Sequence, residues 1–509
     1  MQDRSIRRTL CVVLLLCVLA LGAGSGSMAS GNVLIVAQGG DVTTLDPQLQ
    51  GNMVTMNVVI NIFDTLVTRD ANMELAPGLA TSWKVVNPTT WEFSLRRGVK
   101  FHNGEPFNAG SVKFSIDRLL DPKTNSPIVE LKTVSRVDII DDYTVRIITS
   151  VPDPLLPAKM VLFGGCIVPK DYITKNGDAQ FARQPIGTGP YQFVKWIRDD
   201  RVVLKANPSY WKGKPAYESL EFRSVPNAND RVAALLTGEA DIIANVPVDM
   251  VPRVEADRDC GVLSVPGLRV FYVGLDTRTG PTADKRVRQA MNMAVDIPAI
   301  IKNILGGHAL QIATPVGQGM FGFDPSIKPY AHDLEKAKKL LADAGYPNGF
   351  SIDFAHPSGI YMKDYEVAMA IAGQLAKVGI KMNPVTYEWG VFLDKYRLDQ
   401  LPASLFMGNF AWTMDADNSV NFLFRTGQMY SRYSNKRVDE LIDLESTTLD
   451  SAKRKAAFSE MVRILHDDAP WIFLYQANEL YGVRSGIEWE PLMSQVMWMH
   501  GARPSKGGK

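Results

Sequence analysis

Two carboxylates one residue apart, Asp415 and Asp417, follow two large aromatics in the stretch FAWTMDADN, residues 410–418. On an extended segment side chains alternate with a period of two, so both acids would face one side. Such a pair can serve as acid and base when its surroundings split the two pKa values. Asp417 or Asn418 can also cap a helix begun by VNFLFRTG, because Asx oxygens accept the orphan N–H groups of a first turn. Asp415 has a further option. Three residues after Trp412 and near Phe410, its carboxylate would offer a ligand ammonium charge-assisted hydrogen bonds beside aromatic walls. Against these readings stand the plain ones, a solvated loop for the acids and core burial for each aromatic.

Other motifs carry less. Gly317, Gly319 and Gly322 in GQGMFGF fit GxGxxG by letter, but Pro325 and Pro329 follow, so no helix begins where a pyrophosphate would need one. GTGPY at 187–191 is followed by alternating strand residues and fails for the same reason. HExxH, CxxC, GxSxG and GxxxxGK[ST] are absent, and the six histidines show no ligand spacing. Catalysis and metal binding therefore have no positive sign.

The elements that must position these residues come from a chain of 509 residues, 46% of them hydrophobic, which is long enough for more than one core. Its formal charge of +1 and the lack of a basic stripe argue against nucleic acid. Residues 1–30 place Arg4, Arg7 and Arg8 before an apolar run from Leu10 to Leu21 and the small-residue stretch GAGSGSMAS. That is the layout of a secretory signal peptide, shorter than the roughly 20 residues that span a bilayer. Cys11 and Cys17 would leave with it, and Cys166 and Cys260, 94 positions apart, leave open a disulfide or two free thiols.

Periodicity supplies the rest. NVLIVAQGG reads as a buried strand, and the following segment as a helix with Val58, Ile62 and Leu66 four apart. Trp91, Phe93 and Leu95 alternate, as do Tyr143, Val145 and Ile147, with a helix between them at AGSVKFSIDRLL. Three strands from Ile186 lead to a helix from about Asn229 that stops at Gly238, the order of a βαβ unit. Beyond Gly280 helical stripes dominate, with a strand after Gly379 and a late apolar strand, PWIFLYQANELYGV, that can return to the first sheet.

In this order, LAPGLATSWKV, TWEFSLRRGVKFHNGEPFNAGSVKFSIDR, IGTGPYQFVKW, NPSYW, GEADI, VRQAMNMAVD, QLAKVGI and TYEW make the chain resemble bacterial extracellular solute-binding proteins of family 5. These serve ABC importers of peptides, nickel and opines. The resemblance implies an α/β, periplasmic-binding-protein-like two-lobe fold of type II, hinged by two strands near Phe271–Leu275 and Phe473–Gln476, with an extra β-rich domain. Lobe I would comprise 32–61, 186–277 and 475–509, the β-rich domain 62–185, and lobe III 278–474.

It also implies an exported, monomeric, non-enzymatic receptor without cofactor or metal. Its partners would be a peptide or other small solute and the membrane permease, never nucleic acid. Trp412 and Asp415 match the family's W-x-x-D segment, whose acid meets a peptide's amino group. Ala411, Trp412 and Thr413 would then pair with an extended ligand like an added strand. Asn52, Met53 and Thr55 would face it from lobe I, with Phe410, Trp389 and Tyr361 as aromatic neighbours. Dipeptide binders carry an Arg where this chain has HPSGIYMKDYEVAMA, with Ser358 near the position and Lys363 as a substitute lacking a bidentate fork. A longer peptide is therefore expected over a dipeptide. The alternatives are an opine, glycoside or oligosaccharide, a hydrolase using Asp415 and Asp417, and a surface chaperone.

Overall fold

The structure, a computed structural model, describes residues 32–505. The expected export segment, with Cys11 and Cys17, lies outside them. The first part of the chain runs β1 (Val33–Gln38), α1 (Met53–Val59), the hairpin β2 (Val67–Arg69) and β3 (Leu75–Pro77), β4 (Ala80–Asn87), β5 (Thr90–Leu95), α2 (Ala109–Leu120), β6 (Val134–Asp141) and β7 (Thr144–Thr149). The alternating segments at Phe93 and Val145 become neighbouring strands: β4, β5, β7 and β6 form their own antiparallel sheet, and α2 packs on it. This is the expected β-rich addition.

Next come β8 (Tyr191–Ile197), β9 (Arg201–Ala206), β10 (Ser219–Ser224), α3 (Ala228–Thr237), β11 (Ile242–Ala244) and β12 (Cys260–Leu275). Gly238, at φ 81°, ends α3 as the sequence predicts. The last part holds α4 (Lys285–Ala294), β13 (Ala309–Gln311), α5 (Leu334–Asp343), β14 (Phe350–Pro357), α6 (Asp364–Ala376), β15 (Ile380–Tyr387) and β16 (Ser404–Phe410). It ends with α7 (Asp417–Phe424), α8 (Lys436–Thr447), α9 (Ser451–Asp468) and β17 (Trp471–Arg484).

Eleven of these strands make one sheet, in the order β15, β14, β16, β12, β17, β11, β1, β10, β9, β8, with β13 beside β17. β1 lies parallel to both β10 and β11, so β10, α3 and β11 form the βαβ crossover read from the sequence. The two long strands, β12 of 16 residues and β17 of 14, run through both lobes. Their register breaks between Pro266 and Val270, where the single residue Ala477 faces three. A bulge bends a strand, so β12 bends at residues 267–269 opposite Ala477. Gln476 Nε2 holds the bend by donating to the carbonyls of Gly267 at 2.6 Å and Gln318 at 3.1 Å.

Separate cores follow. One joins lobe I and the β-rich domain through residues such as Leu34, Phe63, Phe93 and Tyr191, and another fills the opposite face of the lobe I sheet around Leu235 and Ile243. Lobe III has two, one around Phe354 and Ile472 and one around Phe424 and Phe458. Cys166 and Cys260 are both free.

One expectation fails. The helix from Met53 stops at Val59, so Ile62 and Leu66 are buried without being helical. The chain turns away because Gly189 N–H donates to Ile62 O and Tyr191 N–H to Asn61 O, both at 2.9 Å. Here Gly187 is required: a Cβ on it would sit 2.0 Å from the Ile62 carbonyl oxygen. The GTGP segment is thus a close backbone approach and not a phosphate loop.

Candidate functional site

The lobes meet through a few side chains that cross between them. Trp412 of lobe III packs against the core shared by lobe I and the β-rich domain, edge-on to Phe163 of the latter with ring centroids 6.0 Å apart. In the other direction Met73, at the tip of the β2–β3 hairpin, is 6% exposed and buried in a lobe III core. Arg69 on the same hairpin donates to the Thr413 carbonyl, and Lys363 Nζ reaches Asp249 across the lobes at 2.5 Å. The lobes touch at these points.

Cavities remain between and beside these contacts. One of about 50 Å³ is lined by Phe63, Asp64, Arg69, Lys212, Trp412 and Trp498. Arg69 and Lys212 also line a groove of about 920 Å³ that continues along Leu263, Arg484 and Trp489. A third, of about 60 Å³, is lined by Gln38, Met53, Asn57, Asn245, Glu479 and Gln495. It lies at the carboxyl ends of the parallel strands β1 and β11, where open α/β sheets place their ligands.

Asp415 does not face these spaces. It is 5% exposed, and its two oxygens accept from Arg454 Nη1 at 2.9 Å and Nη2 at 3.0 Å. The same Nη2 donates to Glu445 Oε2 at 2.8 Å. The counter-charge expected for a ligand ammonium is therefore met inside lobe III, and the expectation is corrected: a bidentate carboxylate–guanidinium pair leaves little for a third partner. The cap is corrected too. α7 begins at Asp417 with Ala416 at its N-cap, and it is Asp415 Oδ1 that accepts the Asp417 N–H at 3.1 Å.

Burial raises the pKa of Asp415 while Arg454 pulls it back. Burial also works against the charge of Arg454, but Asp415 and Glu445 outweigh it and raise its pKa. Glu445 is pushed up to about 10, first by burial and then by Asp417. Its Oε1 has no hydrogen-bond partner among the described residues, and the nearby Asp417 carboxylate favours the protonated form. The folded state thus holds a proton that the unfolded chain releases above the ordinary value of 4.5, and stability falls as pH rises from there towards 10. Glu445→Gln, permanently neutral, is expected to flatten that slope. Urea midpoints at pH 5, 7 and 9 measure it, and a slope equal to wild type refutes the assignment.

The other predicted residues divide. Trp412 and Met53 line cavities. Asn52 caps α1 by accepting from Thr55 N–H at 2.8 Å, and the buried Thr55 hydroxyl accepts from Thr43 N–H at 3.1 Å, so both are held structurally. Ala411 N–H donates to Leu268 O at 3.3 Å, Ala411 O accepts from Met414 N–H at 2.8 Å, and Thr413 O is taken by Arg69. The backbone expected to pair with an extended ligand is largely spent within the protein. Phe410 and Tyr361 flank the Arg269 guanidinium at 5.1 and 5.5 Å, while Trp389 stands edge-on to Tyr361 at 5.8 Å. Ser358 is exposed, and Lys363 is committed to Asp249 and Glu366.

The sequence reading passed over Arg69, Lys212, Arg269 and Glu479. Burial lowers the Arg69 pKa to about 10 and also lowers that of Lys212, whose Nζ sits over Trp211 and Trp498 at 4.8 and 4.7 Å. No spacing connects these residues, since each comes from a different segment. Only Glu479 carries a local signal, as an acid inside an apolar strand.

The family model for bacterial extracellular solute-binding proteins, family 5, matches residues 74–431. The chain belongs to this family. It is 31% identical to heme-binding protein A of Haemophilus influenzae, over 81% of each chain. It is 30% identical to the dipeptide-binding protein of Escherichia coli, over 89% of this chain and 91% of that one. The solved structure of HbpA2 from Haemophilus parasuis superposes with a TM-score of 0.85 at 27% identity, covering 93% of this chain and all of that one. This family-5 protein shares the two-lobe α/β fold, and its family consists of binding proteins.

Proposed function

We propose that this protein is the extracytoplasmic substrate-binding component of an ABC importer, capturing peptides by hinge closure and delivering them unaltered to a membrane permease. The observation that carries this reading is a pair of lobes in contact, with Trp412 and Met73 each crossing to the other side, beside a cavity lined from both by Trp412, Phe63 and Arg69. The likeness to a dipeptide-binding protein supports peptides as the class. The absence of an Arg from HPSGIYMKDYEVAMA, where dipeptide binders carry one, supports a ligand longer than two residues.

In this reading the protein is an exported monomer, and lobe I (32–61, 186–277, 475–509) swings against lobe III (278–474) while the β-rich domain (62–185) rides with lobe I. Asp415 acts as a buttress for the Trp412 segment. Direct contacts come from Trp412, Met53, Phe410 and Tyr361.

Calorimetry of the protein with di-, tri- and pentapeptides, glutathione, an opine and hemin tests the class, with small-angle scattering reporting closure. Micromolar or tighter binding of tri- and pentapeptides with a smaller radius of gyration is expected. Binding confined to hemin or the opine, or release of a cleaved peptide, sinks the reading.

A further inference from the structure

The charge that meets a peptide's amino terminus needs another source once Asp415 is held by Arg454. Glu479 sits on β17 where that strand passes from the bend into lobe I, and its carboxyl lines the 60 Å³ cavity with Gln38, Asn57, Asn245 and Gln495. It is 9% exposed, and Oε1 accepts from Gln495 Nε2. Gln495 and Asn245 hold positive φ of 65° and 57°, backbone strain of the kind that gathers at binding sites. The nearest cation, Arg269, makes no ion pair among the described residues and lies instead against Tyr361 and Phe410. A cavity of this size has room for water or for one ammonium group with its first carbon.

We propose that Glu479 receives the ligand's ammonium group in the cavity at the ends of β1 and β11, with the amides of Gln38, Asn57, Asn245 and Gln495 around it. This rests on the peptide reading above and names the residue that would read the amino end. Burial holds the Glu479 carboxyl above its ordinary range, with Gln495 and Arg269 opposing, and the phenol of Tyr481 is the other titratable group beside it. When an ammonium enters, it pairs with the carboxylate, and a proton held by the carboxyl passes to solvent.

Trialanine and N-acetyl-trialanine are the probes, titrated in phosphate and in Tris buffers, whose ionisation heats differ. Wild type is expected to bind the free amine about 10- to 100-fold more tightly and to release protons on binding, with affinity falling as pH drops through the raised range of Glu479. Glu479→Gln, which keeps the shape and the Gln495 contact, is expected to bring both probes to equal affinity without proton release. If the variant does not fold, the wild-type pH profile decides: a free-amine profile as flat as that of the acetylated probe overturns the proposal. Retained discrimination in Glu479→Gln overturns this assignment alone. A wild type that binds neither probe nor any other peptide removes the peptide reading along with it.

Discussion

Arg454→Met lowers the unfolding free energy by about 3–5 kcal/mol, the range for breaking a buried ion pair by removing one partner. The residue is 5% exposed, and the side chains it serves, Asp415 and Glu445, are 7% and 0% exposed. Methionine replaces much of its volume, so the loss is electrostatic: two carboxyls stay buried without their guanidinium, and Asp415 keeps only the Asp417 N–H. They respond by keeping protons in the folded state. A folded pKa raised above the unfolded value means stability is lost as pH climbs past the unfolded value, so the deficit is larger at pH 8 than at pH 5. Urea unfolding at both pH values measures it. The triple variant Asp415→Asn, Glu445→Gln, Arg454→Met, with no buried charge left, is expected to recover most of the loss. A single variant within 1 kcal/mol of wild type would show that the cluster supports nothing.

The second large effect concerns closure. Trp412→Ala removes a side chain that belongs to lobe III by sequence and to the core shared by lobe I and the β-rich domain by packing. Burying an indole contributes about 3–5 kcal/mol in a full core. Trp412 is half-buried, so about 2–3 kcal/mol of closed-state contact is at stake. Because the contact exists only when the jaws meet, the loss falls on the open–closed equilibrium, about 30- to 150-fold, and hardly on unfolding. The expected signature is peptide affinity reduced by that factor, a radius of gyration that stays large at ligand concentrations that close wild type, and a nearly unchanged melting temperature. A drop in melting temperature with intact closure would place Trp412 in the ordinary core of one lobe.

Both predictions turn on contacts between distant segments, and there the sequence was hardest to read. Helices such as α2, α6 and α9 were visible because a 3.6-residue apolar stripe and a terminal Asx or Gly are local facts. β17 was visible as an apolar run able to return to the first sheet, and its crossing between the lobes was implied by the family resemblance. The helix at Met53 was overextended because Ile62 and Leu66 keep helical spacing for a different reason: each is buried by the chain folding back at Gly187. Asp415 misled in the same way. Its neighbours along the chain, Trp412 and Asp417, pointed to a ligand, while the group that decides its role lies 39 residues away on α9.

By itself, then, the sequence determined the kinds of elements, their order, and through its motifs the family and the two-lobe plan. The elements depend on periodicity and turn chemistry within a dozen residues, whereas the family and the plan came through resemblance. Only the tertiary structure decided which charges are spent and which stay available: Asp415 neutralised by Arg454, Lys363 by Asp249, Glu479 left facing a cavity. A charge is cancelled by whatever lies within a few ångströms in space, and for those pairs the chain must fold before anything is that near.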